Sequence, residues 1–148
     1  MWYVDDCKVS HKDATVVTEI INKLKEHFGE LQTSRGSTLT FLGIDIEIQK
    51  CGKILLSMKD QILETIELFG EKDIGTAATP AKLYLFDVRD DAEALDTNRA
   101  HVFHSVVAKL LYIMKRVHPD IETAISFLTT RVSCCTVDDW QKLERVNN

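Results

Sequence analysis

The chain has 148 residues, 45% hydrophobic and 28% charged with 6 Gly and 2 Pro, which excludes the disordered and low-complexity classes and allows a real core. No apolar run approaches the roughly 20 residues of a membrane span, and the start lacks a charged and then apolar secretory leader, so an intracellular, non-secreted protein of cytoplasm or nucleus is expected. A formal net charge of -5 argues against a broad nonspecific nucleic-acid footprint while leaving room for a local basic groove.

In chain order, the first signal is a short alternation around an acidic pair. Trp2 and Val4 share one face, Asp5 and Asp6 form the bend, and Cys7 and Val9 resume beyond it, which predicts a strand-turn-strand hairpin with carboxylates at its tip. Ser10 and Asp13 have capping-box spacing, and Val16, Val17, Ile20, Ile21, Leu24 and Phe28 recur at helical spacing until Gly29. From Leu39 the period becomes two, with Leu42, Ile44, Ile46 and Ile48 on one face, which predicts one strand. Lys50-Cys51-Gly52-Lys53 then turns the chain so that 54–56 pairs back. Ser57 and Asp60 repeat the capping-box spacing ahead of the stripe Met58, Ile62, Ile66 and Phe69, which stops at Gly70.

After Gly75 the pattern dissolves. Residues 76–96, with Pro80, Tyr84, Phe86 and an acidic string over 87–96, read as an extended connector and the best internal boundary. Asn98 is positioned to cap a longer helix with Val102, Phe103, Val106, Leu110, Met114 and Val117 inward. Pro119 suits the first turn of another helix burying Ile121, Ala124, Ile125 and Leu128, and Thr136 with Asp139 caps a last helix through Trp140 and Leu143. The expected class is α+β: antiparallel hairpins plus a helix over 1–57, a helix and connector over 58–96, and a helical region over 97–148.

Asp-Asp occurs at 5 and 6, at 90 and 91, and at 138 and 139. Asp90-Asp91 falls in the connector and Asp138-Asp139 stands where helix capping favours carboxylates, so both read as solvated or structural. Asp5-Asp6 alone is flanked by strand-formers. Two like charges at a hairpin tip are tolerated best when a cation neutralises them, although an ordinary exposed turn accommodates them too. Cysteines 7, 51, 134 and 135 form no C-x-x-C pair and spell out neither a zinc site nor a disulfide framework.

Tyr3-Val4-Asp5-Asp6 resembles the catalytic hairpin of reverse transcriptases of copia-type retrotransposons. The resemblance continues in order through Phe41-Leu42-Gly43-Ile44, similar to the primer-grip strand, then Ile54-Leu55-Leu56-Ser57, Thr79-Pro80, Leu110-Leu111-Tyr112 and Pro119-Asp120-Ile121. Ala108-Lys109 and the stretch 115–119 depart from the family pattern. The resemblance implies a partial polymerase palm over 1–57, a thumb-like helix and connector over 58–96, and a connection region cut short within 97–148.

It also implies two Mg²⁺ ions in the complete enzyme, with Asp5 and Asp6 as catalytic metal ligands. Tyr3 lies near the primer terminus, and Phe41, Leu42 and Gly43 belong to the primer grip. Template-primer of RNA or DNA and deoxynucleotides are the implied partners, and Lys59, Lys72, Lys82, Lys109, Lys115 and Arg116 are available to phosphates. The third carboxylate and the nucleotide-binding fingers lie upstream in the family. A fragment inactive in isolation, associating with a missing polymerase portion, is therefore expected. The reading fails if the aspartates lie far from the Gly43 strand and share no sheet with it.

Two rival readings stand beside it. A receiver-like Mg²⁺-binding phosphoacceptor domain needs an aspartate at the end of a later strand, and Asp45 is followed by Ile46-Glu47-Ile48, which keeps the strand running. A non-catalytic module that binds nucleic acid or a partner is the other.

Overall fold

The computed structural model of the chain describes residues 1–70, 75, 77–81 and 83–147. They fall into two compact units, Met1–Ser57 and Met58–Asn148. Lys72, Lys82 and position 76 of the expected connector lie outside the described residues. The architecture mixes helices with small antiparallel sheets, the α+β class.

In Met1–Ser57, β1 (Trp2–Tyr3) pairs antiparallel with β2 (Asp6–Cys7), Trp2 facing Cys7 and Tyr3 facing Asp6. The Lys8 amide donates to the Met1 carbonyl at 2.8 Å and lengthens this ladder. Helix α1 (Ala14–Phe28) carries the expected apolar stripe, but its start is corrected. Asp13 is itself the N-cap, because its short carboxylate reaches the Thr15 amide at 2.9 Å and the Thr15 hydroxyl at 2.7 Å. Ser10 instead accepts from Lys8. The bonds from Thr15, the hydroxyl's first, favour the charged form and hold the Asp13 carboxyl below its ordinary range.

The single strand expected from Leu39 is also corrected. It is two strands, β3 (Thr38–Phe41) and β4 (Ile44–Ile48), joined by the two-residue turn Leu42-Gly43. Both turn residues are left-handed, with φ 53° and 72°, as in the type I′ turn that matches strand twist. Leu42 and Ile44 keep the same parity across this turn, so the alternation cannot distinguish a hairpin from an unbroken strand. β5 (Ile54–Ser57) completes the order β3-β4-β5, reached through the expected turn at Cys51-Gly52. Leu39, Ile46 and Leu56 form one cross-strand row and Ile48 faces Ile54, which gives the sheet an apolar face. Among the described residues of this unit, Ile46 alone is buried.

Met58–Asn148 holds most of the buried core. Helices α2 (Lys59–Phe69), α3 (Thr97–Met114), α4 (Glu122–Arg131) and α5 (Val137–Asn147) pack successively, α2 on α3, α3 on α4 and α4 on α5. A single 3₁₀ turn, Pro119–Ile121, leads into α4 with Pro119 in its first turn, as the sequence predicts. Two caps are corrected. Ser57 ends β5, and α2 begins after Met58 with no side-chain cap. Asp96, not Asn98, caps α3, accepting from the amides of Asn98 and Arg99 at 2.9 and 3.0 Å.

The buried face of α3 is Phe103, Val106, Val107, Leu110, Ile113 and Met114. It is shifted from the expected face: Val107 and Ile113 are buried where α3 packs against α2 and α4, whereas Val102 and Val117, expected inward, are only half-buried. Phe69 stacks on Trp140 with ring centroids 4.7 Å apart, joining α2 to α5. The expected loose connector is firmly tied instead. Leu85 is buried, Ala94 bridges to Thr136, and Arg89 grips Asp138 through two bonds of 2.7 Å. Residues 58–96 and 97–148, read separately above, thus lie in one compact unit. Among the described residues no helix is long and apolar enough to cross a membrane.

Candidate metal-binding hairpin

The β1–β2 hairpin is tight enough that Val4 and Asp5 form its whole turn. Asp5 is therefore at the tip, whereas Asp6, also expected in the bend, lies in the ladder opposite Tyr3. Val4 has φ 50°, a left-handed backbone that costs an L residue about 1–2 kcal/mol and is unusual for a β-branched side chain. Trp2 restrains this turn, its indole Nε1 donating to the Val4 carbonyl at 2.7 Å. The same indole lies 6.3 Å, ring to ring, from Phe28 at the end of α1, so the helix backs the hairpin. No sequence signal pointed to Val4, because its residue type disfavours the conformation it adopts.

Asp5 and Asp6 are exposed, and among the described residues neither carboxylate makes a hydrogen bond or ion pair. Their oxygens are hard donors of the kind Mg²⁺ prefers, an ion that keeps several waters and takes one or two carboxylates plus substrate oxygens. Among the described residues no group of three His, Cys, Asp or Glu side chains is placed to hold a metal. The pair therefore fits part of one cation's shell, and a two-ion cage needs a further carboxylate from elsewhere.

Phe41, Leu42 and Gly43 sit at the β3–β4 turn, Phe41 ending β3 and the other two forming the bend. The structure thus gathers Tyr3, Asp5 and Asp6 on one hairpin and Phe41, Leu42 and Gly43 on another. Among the described residues the two hairpins belong to different sheets, which overturns the expected shared sheet and meets one of the two conditions for failure, while both hairpins lie within the one compact unit Met1–Ser57. β1 and β2 pair, among the described residues, only with each other.

Of the other acidic pairs, Asp90-Asp91 is exposed and Asp138-Asp139 is structural. Asp138 is held by Arg89, and Asp139 is buried, accepting from the Thr136 amide and hydroxyl at 3.1 and 3.0 Å as the cap spacing predicts. Asp45 is the second residue of β4 and accepts from the Thr40 hydroxyl at 2.8 Å, which is no strand-end phosphoacceptor position. Of the cations considered for phosphate contact, Lys109 pairs with Glu64 at 3.2 Å and the Arg116 guanidinium lies 3.4 Å from the Tyr112 ring centroid. Lys59 and Lys115 are exposed. All four cysteines are free, and burial pushes the Cys135 thiol above its ordinary range.

No protein-family model matches the chain, and no solved structure matches it.

Proposed function

We propose that this chain is part of a copia-type retrotransposon RNA-directed DNA polymerase, and that its first hairpin supplies carboxylates to the nucleotidyl-transfer centre. One observation carries the reading: Tyr3-Val4-Asp5-Asp6, first in an ordered series of family landmarks, folds as a strained hairpin with free carboxylates at and beside its tip. Backbone strain of this kind persists where surrounding contacts hold it, and it is concentrated at functional sites. Here Trp2 provides the hold.

Two Mg²⁺ ions, when bound in such a centre, clamp the attacking and leaving oxygens of an in-line phosphoryl displacement. In this proposal Asp5 at the turn is the principal ligand, and Asp6 supports it from the ladder. Tyr3 lies beside them to meet the primer terminus. The Leu42-Gly43 turn presents backbone to the primer, where glycine permits close approach. Template-primer of RNA or DNA and deoxynucleotides are the partners, met in cytoplasm or nucleus. A polymerase portion bearing the third carboxylate completes the site.

Residues 1–148 by themselves are expected not to polymerise. Primer extension with Mg²⁺ on the purified chain tests this. No incorporation is the expected result, whereas robust incorporation lost in Asp5→Ala would overturn the need for an outside carboxylate.

A further inference from the structure

Away from the hairpin, the described residues of Met58–Asn148 line a cavity of about 350 Å³ between the stretch 84–89 and α5. Tyr84 and Leu85 give it an apolar wall, and Lys142 and Arg145 stand on the α5 side. Its size falls within the range of small-molecule sites, which are mostly apolar with a few placed polar groups.

The charges lining it do not cancel. Among the described residues Arg89 and Asp138 neutralise each other through their bidentate pair, and Asp139 behind the wall is shared between Arg131 and Lys142 and compensates one of the two, which leaves an excess of one positive charge over Asp87 beside Lys142 and Arg145. Lys142 is held in place with its side chain only 10% exposed. Its Nζ donates to the Asp87 carbonyl at 2.6 Å and lies 3.7 Å from the Asp139 carboxylate. Arg145 donates from Nε to the Thr79 carbonyl at 3.0 Å and from one terminal nitrogen to the Thr79 hydroxyl at 3.4 Å. Among the described residues these bonds leave the other terminal nitrogen of its planar fork unengaged, and such a fork suits a carboxylate.

We propose that this cavity binds a free, small amphiphilic monoanion, its carboxylate against Lys142 and Arg145 and its aromatic or aliphatic body against Tyr84 and Leu85. One negative charge balances the local excess. A dianion would be opposed by Asp87, and a neutral apolar molecule would leave the cations without the new partner that favours the complex.

Amide NMR titration of the whole 148-residue chain with phenylpropionate tests it, with phenylpropanol and propionate as matched probes. Phenylpropionate should give saturable shifts at Tyr84, Leu85, Lys142 and Arg145. The alcohol and the short acid should each bind about tenfold more weakly, the factor for losing one charge-assisted hydrogen bond or the apolar body. Arg145→Gln should weaken phenylpropionate by a similar factor. Tyr84→Ala, which keeps both cations, should weaken phenylpropionate and leave propionate unchanged. No saturable shift with phenylpropionate, equal binding of phenylpropanol, or shifts confined to other regions would overturn the proposal.

Discussion

Asp139 shows how much a single carboxylate organises in this chain. It is 1% exposed, and besides the two Thr136 bonds it lies 3.2 Å from the Arg131 guanidinium and 3.7 Å from the Lys142 ammonium. Removing one member of a buried ionic cluster leaves its partners uncompensated, so Asp139→Ala should cost about 3–5 kcal/mol in urea unfolding. A change well below 1 kcal/mol would contradict the cluster's role. Its neighbour Asp138 carries a pH signature. The hydrogen bond from Arg89 holds its carboxyl below the ordinary range, so its contribution to stability is complete above about pH 4 and is lost as pH falls through the folded-state value. Asp138→Asn should flatten the acid limb of the stability-pH curve, and an unchanged limb would contradict this. The Thr136–Asp139 cap was legible because both partners lie within one turn. Arg89 was not, since nothing local marks a partner 49 residues away.

At the scale of elements, helices were read more securely than hairpins. A helix announces itself over several turns: α1, α2 and α4 form where their stripes place them, and α4 buries its stripe as expected, whereas α1 buries none of its residues and α2 buries Thr65 beside Phe69. Helix starts were harder, because Asp13 and Asp96 compete with neighbouring polar residues as caps and only backbone geometry decides. Hairpins suffer from parity: a two-residue turn preserves the alternation on either side, which hid the bend at Leu42-Gly43. That turn makes its own prediction. Leucine in a left-handed position is less suitable than asparagine, so Leu42→Asn should stabilise the β3–β4 hairpin by about 1 kcal/mol, measured by amide exchange across the Phe41–Ile44 pair. Faster exchange in the variant would show that the leucine side chain contributes more than its backbone strain costs.

At the scale of the molecule, burial is uneven. Phe103, Val106, Ile125, Leu128 and Leu143 are fully buried in Met58–Asn148, while Trp2, Tyr3, Phe28, Ile54 and Leu55 of Met1–Ser57 are exposed. Local stability follows buried apolar contact, so amides of α3 and α4 should exchange far more slowly than those of β1 to β5. Equal protection in both units would contradict that picture. The candidate site thus lies in the less buried unit, where the sequence placed Tyr3, Asp5 and Asp6 on one hairpin but could not foresee that Gly43 would join a separate sheet.

The proposed centre requires the acidic turn to be a place where a divalent cation belongs, and paramagnetic Mn²⁺ is the most direct probe of it. Substoichiometric Mn²⁺ should selectively broaden the amide signals of Tyr3 to Cys7, and Asp5→Asn should abolish the effect. Broadening spread evenly over the chain's other acidic residues, or unchanged by that substitution, would contradict it.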